Sequence, residues 1–109
     1  MQIPELTRRE VERKLSQLCE RHGRRAAGRA RLSYRFRGSS VTVFVERAGA
    51  PAERSAVAQF RLNPESRLWQ LYCADRNRRW HRYTEVPPTR IFEALVKELE
   101  EDPSGIFWG

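Results

Sequence analysis

The spacing of apolar residues changes twice along this chain, and that change limits the fold more than any other feature. Between about Thr7 and Arg21, Val11, Leu15 and Leu18 recur at helical spacing. From Leu32 the period drops to two, with Leu32, Tyr34 and Phe36 alternating with Ser33, Arg35 and Arg37. After Pro87-Pro88 helical spacing returns. Ile91, Phe92, Leu95, Val96 and Leu99 make a stripe over about Arg90 to Glu101. The chain therefore reads as a helix, a block of strands and a second helix.

Local signals set the expected boundaries. Thr7 and Glu10 have capping-box spacing, with Leu6 and Val11 placed for a hydrophobic staple. Gly23 is the expected C-terminal cap, and the basic RRAAGRA stretch after it reads as a loop. GSS turns the chain at 38–40 into VTVFVE, whose branched and aromatic residues favour a strand. A third strand holds Ala58, Phe60 and Leu62 and ends at Asn63-Pro64. RLWQLYCA is the fourth, RNRR a turn, and WHRYTEV the fifth. Thr89 is placed to cap the second helix.

Short connections favour sequential hairpins. The expectation is an α+β fold: a five-stranded antiparallel meander with an N-terminal and a C-terminal helix packed on one face. At 109 residues it is a single domain. The covered face takes Leu32, Tyr34, Phe36, Val41, Val43, Val45, Ala58, Phe60, Leu62, Trp69 and Leu71. The open face takes Arg35, Arg37, Thr42, Phe44, Gln59, Arg61, Gln70 and Tyr72. Trp80 and Arg82 fit either face, because sequence does not fix the last hairpin's register.

The formal net charge is +7, which favours acidic partners such as nucleic acid. All basic residues but Lys14 and Lys97 are Arg, a bias that a GC-rich genome also produces. Placement is the better signal. Arg21 to Arg37 contains no acid, whereas Ile91 to the end sets Lys97 against Glu93, Glu98, Glu100, Glu101 and Asp102. No run of about 18 apolar residues exists to span a membrane, and the charged N-terminus lacks an apolar signal core. The expected location is cytoplasmic, with no membrane partner. Cys19 and Cys73 are then free thiols.

Site chemistry is sparse. Cys19-x-x-His22 has zinc-like spacing, but Cys73 and His81 would have to converge on it from the sheet, so neither metal nor cofactor is assigned. Cys73 with His81 is the sole nucleophile-and-base pairing, and a buried structural thiol is the favoured reading of Cys73. No catalytic residue is assigned, and a small enzyme is the least favoured class.

Three blocks resemble those of a known family: Trp69-Gln-Leu71-Tyr72, Trp80-His81-Arg-Tyr83 and the closing Asp102-Pro-Ser-Gly105-Ile-Phe107-Trp108-Gly109. They are similar to blocks in a family of short bacterial proteins catalogued only as a domain of unknown function. The resemblance covers essentially the whole chain. It implies a single bacterial domain and carries over no activity, cofactor or catalytic residue.

Two functional readings follow. In the first, RNA or DNA binds Arg35, Arg37, Arg61, Tyr72 and Arg82 on the sheet, with Arg24, Arg25 and Arg29 as a phosphate-tracking arm. Arg76, Arg78 and Arg79 in the hairpin turn extend the patch. In the second, the domain is an adaptor or homodimer that binds another protein or a second copy of the chain through Phe107 and Trp108 of the tail and the exposed sheet surface. The competing expectation for the tail is that Asp102-Pro-Ser-Gly turns it back and docks both rings on the core.

Overall fold

A computed structural model describes residues 2–26, 29–47 and 53–108. Helix α1 spans Glu5–Ala26 and helix α2 spans Phe92–Glu101. Between them run β1 (Ala30–Arg37), β2 (Ser40–Arg47), β3 (Glu53–Leu62), β4 (Trp69–Ala74) and β5 (Trp80–Arg82). All pair antiparallel in the order β1-β2-β3-β4-β5, which is the expected meander.

Both helices cover one sheet face. Val11, Leu15 and Leu18 of α1 and Phe92, Leu95, Val96 and Leu99 of α2 are buried. They close on Leu32, Val41, Val43, Phe60, Leu62, Trp69 and Leu71. Phe92 is the aromatic joint, 4.8 Å from the ring of Phe60 and 5.0 Å from Trp69. The expected core face is correct, though Tyr34 and Phe36 are only half-buried. Tyr34 Oη bonds Ser16 Oγ of α1 at 2.8 Å, and Arg8 lies over the Phe36 ring.

Helix α1 is longer than its caps suggested. It starts two residues before Thr7, on Pro4, whose carbonyl accepts the Arg8 N–H. Proline is pre-set for a helix start. The capping box and staple are therefore not formed, and Leu6 is 79% exposed. At the other end the helix runs through Gly23 to Ala26. Arg21 Nε donates to one Glu100 oxygen at 2.9 Å and Arg21 Nη2 to the other at 3.0 Å, and Arg25 also bonds Glu100. These partly buried charge-assisted bonds to α2, with basic residues at the negative helix end, hold the last turn against the cost of Gly23.

Two further departures shape the open face. A β-bulge separates the Val43–Ala58 and Phe44–Ala56 pairs, so Val57 is an extra residue in β3. Beyond it the alternation of β3 slips by one. β5 ends at Arg82 rather than running to Val86; the next residue, Tyr83, still donates its N–H to Leu71 O at 2.9 Å and faces the core. Its ring sits 5.0 Å from Phe107 and its hydroxyl donates to Glu98 at 2.9 Å. Thr89 then takes the vacated place beside Trp69 in two backbone hydrogen bonds, 2.7 and 3.0 Å. Its hydroxyl accepts the Ile91 N–H just ahead of α2. Among the described residues no helix is long and apolar enough to cross a membrane.

Candidate nucleic-acid interface

The sheet face opposite the helices is built by register. One row across the strands reads Arg35, Thr42, Gln59, Tyr72 and Arg82; the next reads Arg37, Ser40, Arg61 and Gln70. Ala74 faces Trp80, which puts Trp80 and Arg82 on this open face and settles the choice the sequence left free. The slip at the bulge brings Arg54 and Ala56 onto the same face, opposite Glu46 and Phe44.

Arginines and aromatic rings touch here. Arg61 Cζ lies 3.9 Å from the centre of the Tyr72 ring, and Arg54 Cζ lies 3.9 Å from that of Phe44. The Arg61 contact is held from the side. Its Nε donates to Gln59 Oε1 at 2.6 Å, and Gln59 Nε2 donates to Thr42 Oγ1 at 2.9 Å. Glu46 is the one carboxylate among the described side chains of the open strands, and Arg31 pairs with it at 3.0 Å. Among the described residues, Arg35, Arg37, Arg54, Arg61 and Arg82 form no ion pair.

The structure brings together Arg35, Arg37, Arg61, Tyr72 and Arg82 as expected. It separates Arg24 and Arg25 from them. Both lie in the last turn of α1 rather than in a loop, and Arg25 is tied to Glu100. Arg29 is exposed at the entrance to β1, on the sheet's outer edge; its neighbours Ala27 and Gly28 lie outside the described residues. Arg54 was missed, since its place depends on the bulge. The unbroken small apolar run Ala56-Val57-Ala58, where alternation fails, was the available signal. Arg78 lines a cleft with Phe44, Arg54 and Trp80 at the rim. Asp75 shapes that turn by accepting the Asn77 and Arg79 N–H groups, and it meets His81 Nε2 at 2.6 Å. The His81 bond is the main cause holding the Asp75 carboxyl below its ordinary range.

Residues 3–109 match the family described as Domain of unknown function (DUF3024). The chain belongs to the DUF3024 family. No curated protein and no solved structure matches it. In this DUF3024 chain the blocks that carried the resemblance do structural work. Trp69 and Tyr83 are buried, and the closing block packs on the helices. Asp102 accepts the Phe107 and Trp108 N–H groups, Trp108 Nε1 donates to Leu99 O at 2.8 Å, and the Trp108 ring stacks on His22 at 4.9 Å. The tail is docked within its own domain. Phe107 is buried against Tyr83, and Trp108 is half-buried.

The remaining chemical candidates also find internal roles. His22 packs on Trp108, while His81 turns to Asp75. Cys73 Sγ points to the His81 carbonyl at 3.6 Å, not to its ring, and burial pushes its thiol up, away from the reactive thiolate. Among the described residues no three His, Cys, Asp or Glu side chains converge as a metal site.

Proposed function

We propose that the open sheet face of this DUF3024 domain binds single-stranded RNA or DNA. The observation that carries the reading is the sharing of one uncovered face by Arg35, Arg37, Arg54, Arg61 and Arg82 with Phe44, Tyr72 and Trp80. Arginine supplies salt-sensitive, sequence-independent affinity for phosphates. An arginine resting on an aromatic ring presents a planar cation on which a base can stack, and guanidinium and aromatic planes are the usual seats for splayed bases. Stacking is sequence-tolerant, because every base has a π-face. Bases are open to such contact in a single strand and hidden in a duplex.

The test is fluorescence anisotropy with a labelled single strand of about twelve nucleotides, within the usual site size for sheet binders. The expected dissociation constant at low salt is tighter than about 100 µM, the weak end of ordinary non-specific binding. A duplex of equal length binds less tightly. Absence of binding at that level, or equal preference for the duplex, removes the reading.

A further inference from the structure

A cleft of about 390 Å³ opens on the uncovered face where β3 and β4 meet the 63–68 turn. Arg61, Gln70, Tyr72 and Arg82 form its sheet side, and Asn63 and Ser66 its turn side. Among the described residues no carboxylate lines it. Four other clefts each hold one or more: Glu93 and Glu100 between the helices, Glu100 again beside Trp108, Glu10 near Trp69, and Asp75 beside Trp80. Glu65 lies in the adjoining turn without lining the cleft.

We infer that this cleft is a nucleotide subsite, taking one base-and-phosphate unit of a single strand. The inference rests on the reading of the open face as a nucleic-acid surface and deepens it. Its cations are available. Neither Arg61 nor Arg82 is in an ion pair with a described acid. Arg61 is also fixed in place, by the Tyr72 ring and by Gln59, so little side-chain freedom is lost when an anion arrives. Arg82 stands beside Tyr72 in the ladder.

The polar groups in the cleft suit a base edge. Gln70 Nε2 donates to the Tyr83 carbonyl at 3.2 Å, which fixes the amide and leaves Gln70 Oε1 as an acceptor. Asn63 Oδ1 already accepts the Glu65 and Ser66 N–H groups, at 2.9 and 3.3 Å, which leaves the Asn63 NH₂ as a donor. One anchored acceptor and one anchored donor are complementary to the mixed edge of a nucleobase. The Tyr72 ring, Leu68 and Pro88 supply the apolar wall, and the volume lies in the range of small-molecule sites, roughly 300–1,000 Å³.

The experiment is an amide NMR titration of the whole chain with uridine 5′-monophosphate, uridine and inorganic phosphate in turn. The monophosphate is expected to give saturable shifts clustered at residues 63–72 and at Arg82, with half-saturation below about 10 mM, the weak end of measurable binding. Uridine and phosphate alone should bind at least tenfold more weakly. Arg61→Gln and Arg82→Gln should each weaken the monophosphate tenfold or more, and Gln70→Leu should weaken it while leaving phosphate unaffected. Shifts that match those of inorganic phosphate overturn the inference in favour of a bare anion site. Indifference to Arg61→Gln and Arg82→Gln also overturns it. If the twelve-nucleotide strand binds and the monophosphate does not, the subsite falls and the open-face reading stands. If neither binds, both fall.

Discussion

Asp102 clamps Trp108 to the end of α2. Asp102 adopts a left-handed conformation, with φ at 44°, and its carboxylate accepts the Trp108 N–H at 2.9 Å and the Phe107 N–H at 3.2 Å. One residue thus ends the helix and ties down the tail. Asp102→Ala removes both charge-assisted bonds and places an alanine at positive φ, for an expected loss of about 2–3 kcal/mol. Asp102→Asn, which tolerates the conformation and keeps one good acceptor, should lose roughly half as much. Urea unfolding measures both. A loss near zero in Asp102→Asn, with the full loss in Asp102→Ala, would show that the clamp contributes nothing beyond the backbone conformation.

Gly23 offers the opposite change. It sits inside α1, and a Cβ added there meets no atom within 4 Å. Gly23→Ala should stabilise the domain by about 0.5–1 kcal/mol, the ordinary difference in helix propensity. Thermal unfolding checks this. A loss of stability would mean that the helix ends at Gly23 in solution.

The contact between His22 and Trp108 makes stability sensitive to pH. Burial chiefly, and the nearby Arg25 charge, hold the His22 imidazole below its ordinary 6.5, against the opposing pull of Glu100. The folded state thus resists protonation more than the unfolded chain does. Stability is unaffected by His22 above 6.5 and falls as pH drops through that value towards the lower folded pKa. Glu100 acts in a lower window. The hydrogen bond from Arg21 holds its carboxyl below the ordinary 4.5, so its contribution is present above 4.5 and lost as pH falls further. Denaturant midpoints from pH 8 to 3 should show two successive declines. His22→Gln should abolish the upper one and keep the lower.

The fold was legible where one signal acted alone. Alternation placed the covered face, and turn residues ordered the hairpins. It was not legible where a tertiary contact overruled a local signal. The Thr7 and Glu10 spacing was a real motif, but Pro4 offered an earlier start. Gly23 would end an isolated helix, yet the Glu100 carboxylate holds Arg21 and Arg25 across from it. The same contact holds Arg25 at the helices, away from the open sheet face. Arg54 entered that surface through the Val57 bulge, which depends on the pairing with β2. The fifth strand stops at Arg82, and Tyr83 just beyond it packs on Phe107 and bonds Glu98 in the core.

The central claim is that the open sheet face, and not the helical layer, carries the nucleic-acid affinity. It is tested most directly by the salt dependence of single-strand binding in two charge-matched triple variants. One replaces Arg35, Arg61 and Arg82 with Gln on the open face; the other replaces Arg9, Arg13 and Lys97 with Gln on the exposed helices. Each phosphate contact to a single strand adds about 0.7 to the slope of log affinity against log salt. The open-face variant should bind at least tenfold more weakly at low salt, with a slope shallower by about two. The helix variant should keep the wild-type slope and an affinity within about threefold of wild type, allowing for long-range charge effects. Equal losses in the two variants, or a slope unchanged by the open-face substitutions, would contradict the account.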